Sequence, residues 1–230
     1  MAYTMNQEDD RDFKPSDLGT KDFWDNTYSR EVENFKDHGD VGEIWFGEDT
    51  QEKICNWIEE CEDIEKKNSI IDLGCGNGMM LIDLWKRGFR NLTGVDYSEG
   101  AIALAKSLSE AEGTHEIVYL VGDLVGERGK SQCSCLSHHY KVCVDKGTYD
   151  AISLMPENCL IGREHYRDTI RSIMEPDGYF IITSCNWTKD QLLTFFGTDF
   201  RLHDEIPYPT FQFGGKSGSK VTSLILKLKS

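Results

Sequence analysis

The spacing of apolar residues changes near residue 69 and divides the chain into two regimes. Ahead of that point Phe23, Trp24, Tyr28, Val32 and Phe35 recur at helical intervals, which predicts an amphipathic helix from Asp17 to Asp37. Gly42-Glu43-Ile44-Trp45-Phe46-Gly47 follows as an aromatic loop bracketed by glycines. Asp49 to Lys67 reads as a second helix, its highly charged end a solvated face. Beyond residue 69, short apolar runs alternate with helical stretches. Strands are expected at Ser69–Leu73, Leu92–Val95, Ile117–Val121, Tyr140–Val144 and Tyr179–Ser184. Helices are expected at Met79–Arg87, from Ser98 to about Glu112, at Arg163–Met174 and from Thr188 to Phe196. Gly88 ends the first of these helices, and Ser98 and Thr188 stand where side-chain caps belong. Gly126 to His139 is loop-like. Two late strands, about Phe200–Ile206 and Val221–Lys227, have no helix between them, so they cannot be parallel neighbours. The pattern is that of a Rossmann-like α/β fold. Its seven-stranded sheet is mostly parallel and doubly wound, with an antiparallel C-terminal strand and helices on both faces.

A length of 230 residues suits one such domain with a modest extension. Residues 1–15 are polar and read as a disordered tail. Residues 16–230 form one domain whose first part, 16–67, is a helical cap. A 39% hydrophobic content is enough for a real core. The formal charge of −15 would repel a polyanion, so a nucleic-acid partner is not expected, whereas a basic protein would be attracted. The same charge also serves simply to keep a protein in solution. No apolar stretch approaches the roughly 18–20 residues that span a bilayer, so no membrane partner is expected. The polar, acidic start from Met1 to Asp10 does not read as a signal peptide. The eight cysteines are scattered, with Cys75 in a glycine loop and Cys143 inside a strand, which suits a reduced, cytoplasmic setting.

The densest chemistry lies where the first strand of the second regime ends. Ile70-Ile71-Asp72-Leu73-Gly74-Cys75-Gly76-Asn77-Gly78 runs from strand to helix with glycines at every second position. Gly74, Gly76 and Gly78, with Cys75 among them, allow positive φ and let a ligand approach the backbone. The helix start that follows favours a negative group, here a carboxylate. A tight strand-to-helix turn would need glycines too. Two further carboxylates raise the signal. Asp96, with Tyr97 beside it, ends the second strand about 20 residues on, where an acid can accept from both ribose hydroxyls. Asp123, with Leu124 beside it, lies just past the third strand, in reach of an adenine amino group. All three acids fall at carboxyl strand ends, the edge at which open α/β sheets bind ligands. The spacing departs from the Gly-x-Gly-x-x-Gly of NAD sites, and Asp72 suits a cationic ligand end better than a pyrophosphate. S-adenosylmethionine (SAM) offers both an ammonium and a sulfonium.

Strand four leads into Asp145-Lys146-Gly147-Thr148, beside strand one. Asp145 there either holds a substrate ammonium near the methyl group or caps the turn that follows. Strand five ends in Ser184-Cys185-Asn186-Trp187-Thr188, which puts Asn186 and Trp187 on the ligand edge. Trp187 either packs on a substrate alkyl chain and its cation or covers the following helix. The Asn/Asp-Pro-Pro-Tyr/Phe pattern of enzymes that methylate nucleobase amines is absent. Cys133, Cys135, His138 and His139 lack the usual zinc spacing, so no metal is expected. Gly129-Lys130-Ser131 and Gly215-Lys216-Ser217 echo a P-loop, but Leu124 and Thr210 stand where it needs a glycine.

Six segments together resemble a known family. They are Gly-Glu-Ile-Trp-Phe-Gly-Glu (42–48), Asp-Leu-Gly-Cys-Gly-Asn-Gly (72–78), Gly-Val-Asp-Tyr-Ser (94–98), Asp-Lys-Gly-Thr-Tyr-Asp-Ala-Ile (145–152), Ser-Cys-Asn-Trp-Thr-Lys (184–189) and Phe-Gly-Gly-Lys-Ser-Gly (213–218). The set is similar to the seven-strand (class I) lysine methyltransferases that act on translation elongation factor one-alpha, from about residue 16 onward. The resemblance implies a cytoplasmic, SAM-dependent enzyme that methylates a lysine of that factor. It assigns cofactor binding to the 72–78 loop, Asp96 and Asp123, and places Trp45, Asp145 and Asn186 along the cofactor or lysine channel. A monomer is expected. The Cys- and His-rich segment 126–139 departs from the family pattern.

Overall fold

The computed structural model describes residues 13–126, 133–209, 211–213, 216–218 and 221–229. The expected tail therefore lies outside the described residues up to position 12. From there Phe13 packs at a tilt on Trp187 with ring centroids 4.5 Å apart, and the Ser16 amide donates to the Leu154 carbonyl at 3.2 Å.

A single 3₁₀ turn, Asp17–Gly19, precedes α1 (Lys21–His38), whose start is set by Thr20, a cap that accepts from the Phe23 amide. The helix expected from Asp17 thus begins four residues later. Helix α2 (Glu48–Glu60) is shorter than expected. The charged run after Glu60 is not a solvated helical face. Cys61 turns extended there, buried Ile64 folds down onto the core, and Asp63 accepts from the Tyr179 hydroxyl at 2.8 Å.

From β1 (Ser69–Leu73) strands and helices alternate: α3 (Met79–Lys86), β2 (Asn91–Asp96), α4 (Glu99–Ala111) and β3 (Val118–Val121). Another 3₁₀ turn, Ser134–Ser137, leads to β4 (Tyr140–Lys146). Then come α5 (Thr148–Ser153), α6 (Cys159–Ile173), β5 (Met174–Ser184), α7 (Lys189–Phe196) and β6 (Phe200–Ile206). Helix α5 was not expected, because six residues are too few to show a helical period. Thr188 caps α7 with a full capping box: its hydroxyl accepts from the Gln191 amide, and the Gln191 side chain accepts from the Thr188 amide. A small hairpin, β7 (Phe211–Phe213) with β8 (Lys216–Gly218), stands between β6 and β9 (Thr222–Leu228).

The seven strands run in the order β3-β2-β1-β4-β5-β9-β6. The first five are parallel, and β9 is antiparallel to both β5 and β6. The fold is therefore the doubly wound, mostly parallel sheet with an antiparallel end that the sequence predicts. Strands β1, β2 and β4 are buried almost throughout, as strands covered on both faces must be. One face carries Ile70, Leu92, Val142, Val144 and Ile181 against α1–α4. The other carries Ile71, Leu73, Cys143, Phe180 and Ile182 against α5–α7. Chain order reverses between β1 and β4, which opens a crevice outside their carboxyl ends. Among the described residues no helix is long and apolar enough to cross a membrane, and all eight cysteines are free thiols.

Candidate functional site

Asp72 sits near the end of β1, 3% exposed, on the face shared with Val144. Burial pushes its carboxyl up to about 7, opposed by nearby Lys146 and reinforced by Asp96. Among the described residues nothing donates a hydrogen bond to it, so a buried acceptor is left for a ligand cation. The chain then folds back: the Gly74 and Cys75 amides both donate to the Val95 carbonyl, at 2.7 and 3.0 Å. Gly74, Gly76 and Gly78 all have positive φ. A Cβ on Gly74 would lie 2.0 Å from the Thr148 hydroxyl, and one on Gly76 would lie 2.5 Å from the Tyr28 hydroxyl. The loop thus needs glycine both for its turn and for its neighbours.

Asp96 ends β2 beneath this loop. One of its oxygens accepts from the Gly76 amide at 3.1 Å and the other from the Ser98 amide at 2.9 Å. Burial still pushes it up to about 6, against those two bonds. Each oxygen keeps a lone pair for a hydroxyl donor. Next to it, the Tyr97 hydroxyl reaches the Thr20 carbonyl at 3.4 Å. Asp123 is exposed, and one of its oxygens accepts from the Val125 and Gly126 amides. Leu124 is buried behind it.

The end of β4 separates two neighbours that sequence alone left together. Strand residues alternate faces, so Lys146 shares the face of Val144 and Asp72 while Asp145 points to the other side. Asp145 is fully buried and accepts from three donors: the Thr148 amide (2.8 Å), the Tyr149 amide (3.0 Å) and the Tyr166 hydroxyl (2.6 Å). Burial raises it to about 7 all the same. It caps α5. Lys146, its ammonium pushed down by burial, donates to the Trp45 carbonyl at 3.0 Å. Thr148 donates its hydroxyl to the Leu73 carbonyl at 2.6 Å, tying the β4 end to the glycine loop.

The β5 end is held by Asp150, which accepts from the Ser184 hydroxyl and from the Cys185 amide at 2.8 Å. Ser184 in turn accepts from the Asn186 and Trp187 amides. Asn186 is half-buried beside exposed Cys185. Trp187 is buried: its ring N–H donates to Ser153 at 3.0 Å, and the Arg163 guanidinium lies 4.5 Å over its ring.

The helical cap meets the site through two ties that sequence reasoning did not foresee. The Asn77 side-chain amide donates to the Val41 and Glu43 carbonyls at 3.0 and 3.3 Å, fastening the aromatic loop to the glycine loop. Glu31, 7% exposed, accepts from the Glu43 amide with one oxygen, and Gly42 leaves room for the other. Trp45 packs edge-on to Trp24, centroids 5.0 Å apart, and among the described residues its buried ring N–H has no partner. The glycines around 39–47 were the available signal for a loop shaped to its neighbours. Lys146 could have been found only by assigning strand faces, and Thr148 and Asp150 only by recognising the short helix that follows β4. The open acceptor at Asp72 and the Asp96 shelf lie at neighbouring carboxyl strand ends and fit a ligand with a cationic end and a ribose.

Residues 64–218 match a family described as a methyltransferase domain. EEF1A lysine methyltransferase 2 of Danio rerio is 47% identical over 94% of this chain and 90% of its own length. Protein-lysine N-methyltransferase EFM4 of Saccharomyces cerevisiae is 36% identical over 93% of this chain and 95% of its own length. A TehB-like SAM-dependent methyltransferase from Corynebacterium glutamicum superposes with a TM-score of 0.59 at 20% identity, covering 89% of this chain and 98% of that one.

Proposed function

The chain belongs to the methyltransferase-domain family and, within it, to the EEF1A lysine methyltransferases, and we propose that it transfers methyl groups from SAM to a lysine of translation elongation factor one-alpha, in the cytoplasm. One observation carries this reading: the likeness to protein-lysine methyltransferases spans 94% of the chain, too much to leave out either the cap or the strand ends around the crevice.

SAM supplies a methyl group on a positively charged sulfonium. Asp72 takes the cationic amino-acid end, Asp96 the ribose hydroxyls, and Asp123 with Leu124 the adenine, while Trp45 and Tyr97 close over them. The backbone of Gly74, Cys75, Gly76 and Gly78 forms the floor. The acceptor enters over the ends of β4 and β5. Bound SAM would supply the methyl group, which an acceptor nitrogen placed there would take as the sulfide leaves with the electron pair of the carbon–sulfur bond. A free lysine has a pKa near 10.4, so the attacking amine must first lose a proton, which an apolar channel favours. Positioning supplies the rest, on the order of 7–11 kcal/mol in well-oriented cases. Asp145 fixes the β4–α5 turn that shapes the channel, Asn186 faces the acceptor, and Trp187 packs the wall behind it.

Purified protein, labelled SAM and purified elongation factor one-alpha form the test. Label on a single lysine of the factor, located by mass spectrometry, is the expected result. Label that appears only in RNA or in metabolites when lysate is supplied would refute the protein-lysine reading.

A further inference from the structure

Phe46 stands in the left-handed region at φ 69°, a conformation that a bulky side chain rarely adopts. Two contacts from the β4 end hold it there. Its ring occupies the space a side chain on Gly147 would fill, with Cε2 2.6 Å from the position of that missing Cβ. Its neighbour Trp45 is pinned through its carbonyl by Lys146. Gly147 itself has φ 96° and leads into Thr148, whose hydroxyl is bound to β1. The ring is therefore seated at the crevice where strand order reverses, and it is only half-buried.

A row of three cap rings runs toward the other side. Trp45 packs on Trp24, Trp24 stacks on Tyr28 at 6.1 Å, and the Tyr28 hydroxyl covers Gly76 beside Asp96. That end of the row lies over the β1–β2 half of the crevice, and the Phe46 ring lies against the β4 end at Gly147. A lysine entering there presents a methylene stem and an ammonium, and an aromatic face attracts both.

We infer that Phe46 is a specificity-determining residue: its ring lines the entrance for the acceptor lysine, and the strained backbone exists to aim it. The inference rests on the protein-lysine reading above. Its test uses the full chain, with SAM affinity measured by calorimetry, steady-state kinetics on elongation factor one-alpha, and thermal melting. Phe46→Ala and Phe46→Gly are expected to raise the KM for the protein acceptor about tenfold, the scale of a lost cation–aromatic contact. SAM affinity should stay within about twofold, and Phe46→Tyr should restore the acceptor KM. Phe46→Gly should melt no lower than Phe46→Ala, because glycine accepts the positive φ freely. An active wild type with unchanged acceptor KM in both truncations would overturn the inference alone. So would a loss of SAM affinity parallel to the rise in KM. A wild type that binds SAM and methylates no protein lysine would overturn the parent reading and this inference with it.

Discussion

At the scale of single residues, the carboxylates around the crevice do opposite work. Asp145 is buried with three donors and stabilises a turn, whereas Asp72 is buried with none among the described residues and waits for a cation. Asp72→Asn should therefore separate stability from binding. Hydrogen bonds to charged groups contribute about 1.5–3 kcal/mol, so SAM affinity measured by calorimetry should fall roughly 10- to 100-fold. The melting temperature of the free protein should hold or rise, because an uncompensated buried acid is removed. Asp72, Asp96 and the glycines were legible in the sequence because a strand–turn–helix junction keeps its chemistry within a few consecutive residues. The opposite orientations of Asp145 and Lys146 were not, since the face on which a side chain lies depends on the register between β1 and β4.

At the scale of elements, α1 and α2 are packed into the core on one face of the sheet, and the aromatic loop is fastened to the site where loop meets loop. Asn77 holds the 41–43 backbone from inside the glycine loop, so the segment proposed to bind SAM also holds the cover. Asn77→Ala removes two ordinary hydrogen bonds, each contributing about 0.5–1.5 kcal/mol. Stopped-flow measurement should show SAM leaving several-fold faster, with a smaller change in its rate of entry. The long helices and central strands were readable because their apolar periods are sustained. Helix α5 was too short to show a period, and the end of α2 is fixed by Ile64 and Asp63 reaching partners remote in sequence.

At the scale of the whole molecule, burial leaves five of the described acids with raised affinities for protons, Glu31 and Asp150 among them. Asp72, Asp145 and Asp96 move from 3.8 to about 7, about 7 and about 6. The folded chain then binds more protons than the unfolded one between about pH 4 and 7, so the stability of the free protein increases as pH falls through 7 and is lost as pH rises. Asp25, Glu59, Asp177 and Asp204, all lowered, act in the opposite sense only below about pH 4. SAM binding needs Asp72 ionised and should weaken over the same interval. Melting curves and calorimetry from pH 8 to 5.5 should show the two trends crossing: a hotter melt of the free protein and a poorer grip on cofactor. Parallel trends would mean that Asp72 does not carry the cation.

The placement of β9 has a consequence for how the chain is made. Among the described residues strand β6 pairs only with β9, and β9 separates it from β5, so a strand synthesised later is inserted between two that are already complete. Until residues 222–228 leave the ribosome, β5 has a bare edge and β6 has no partner at all. A premature stop ahead of Thr222 would therefore remove an interior strand and leave two adhesive edges in its place. The nascent chain has good reason to be shielded until its final strand arrives.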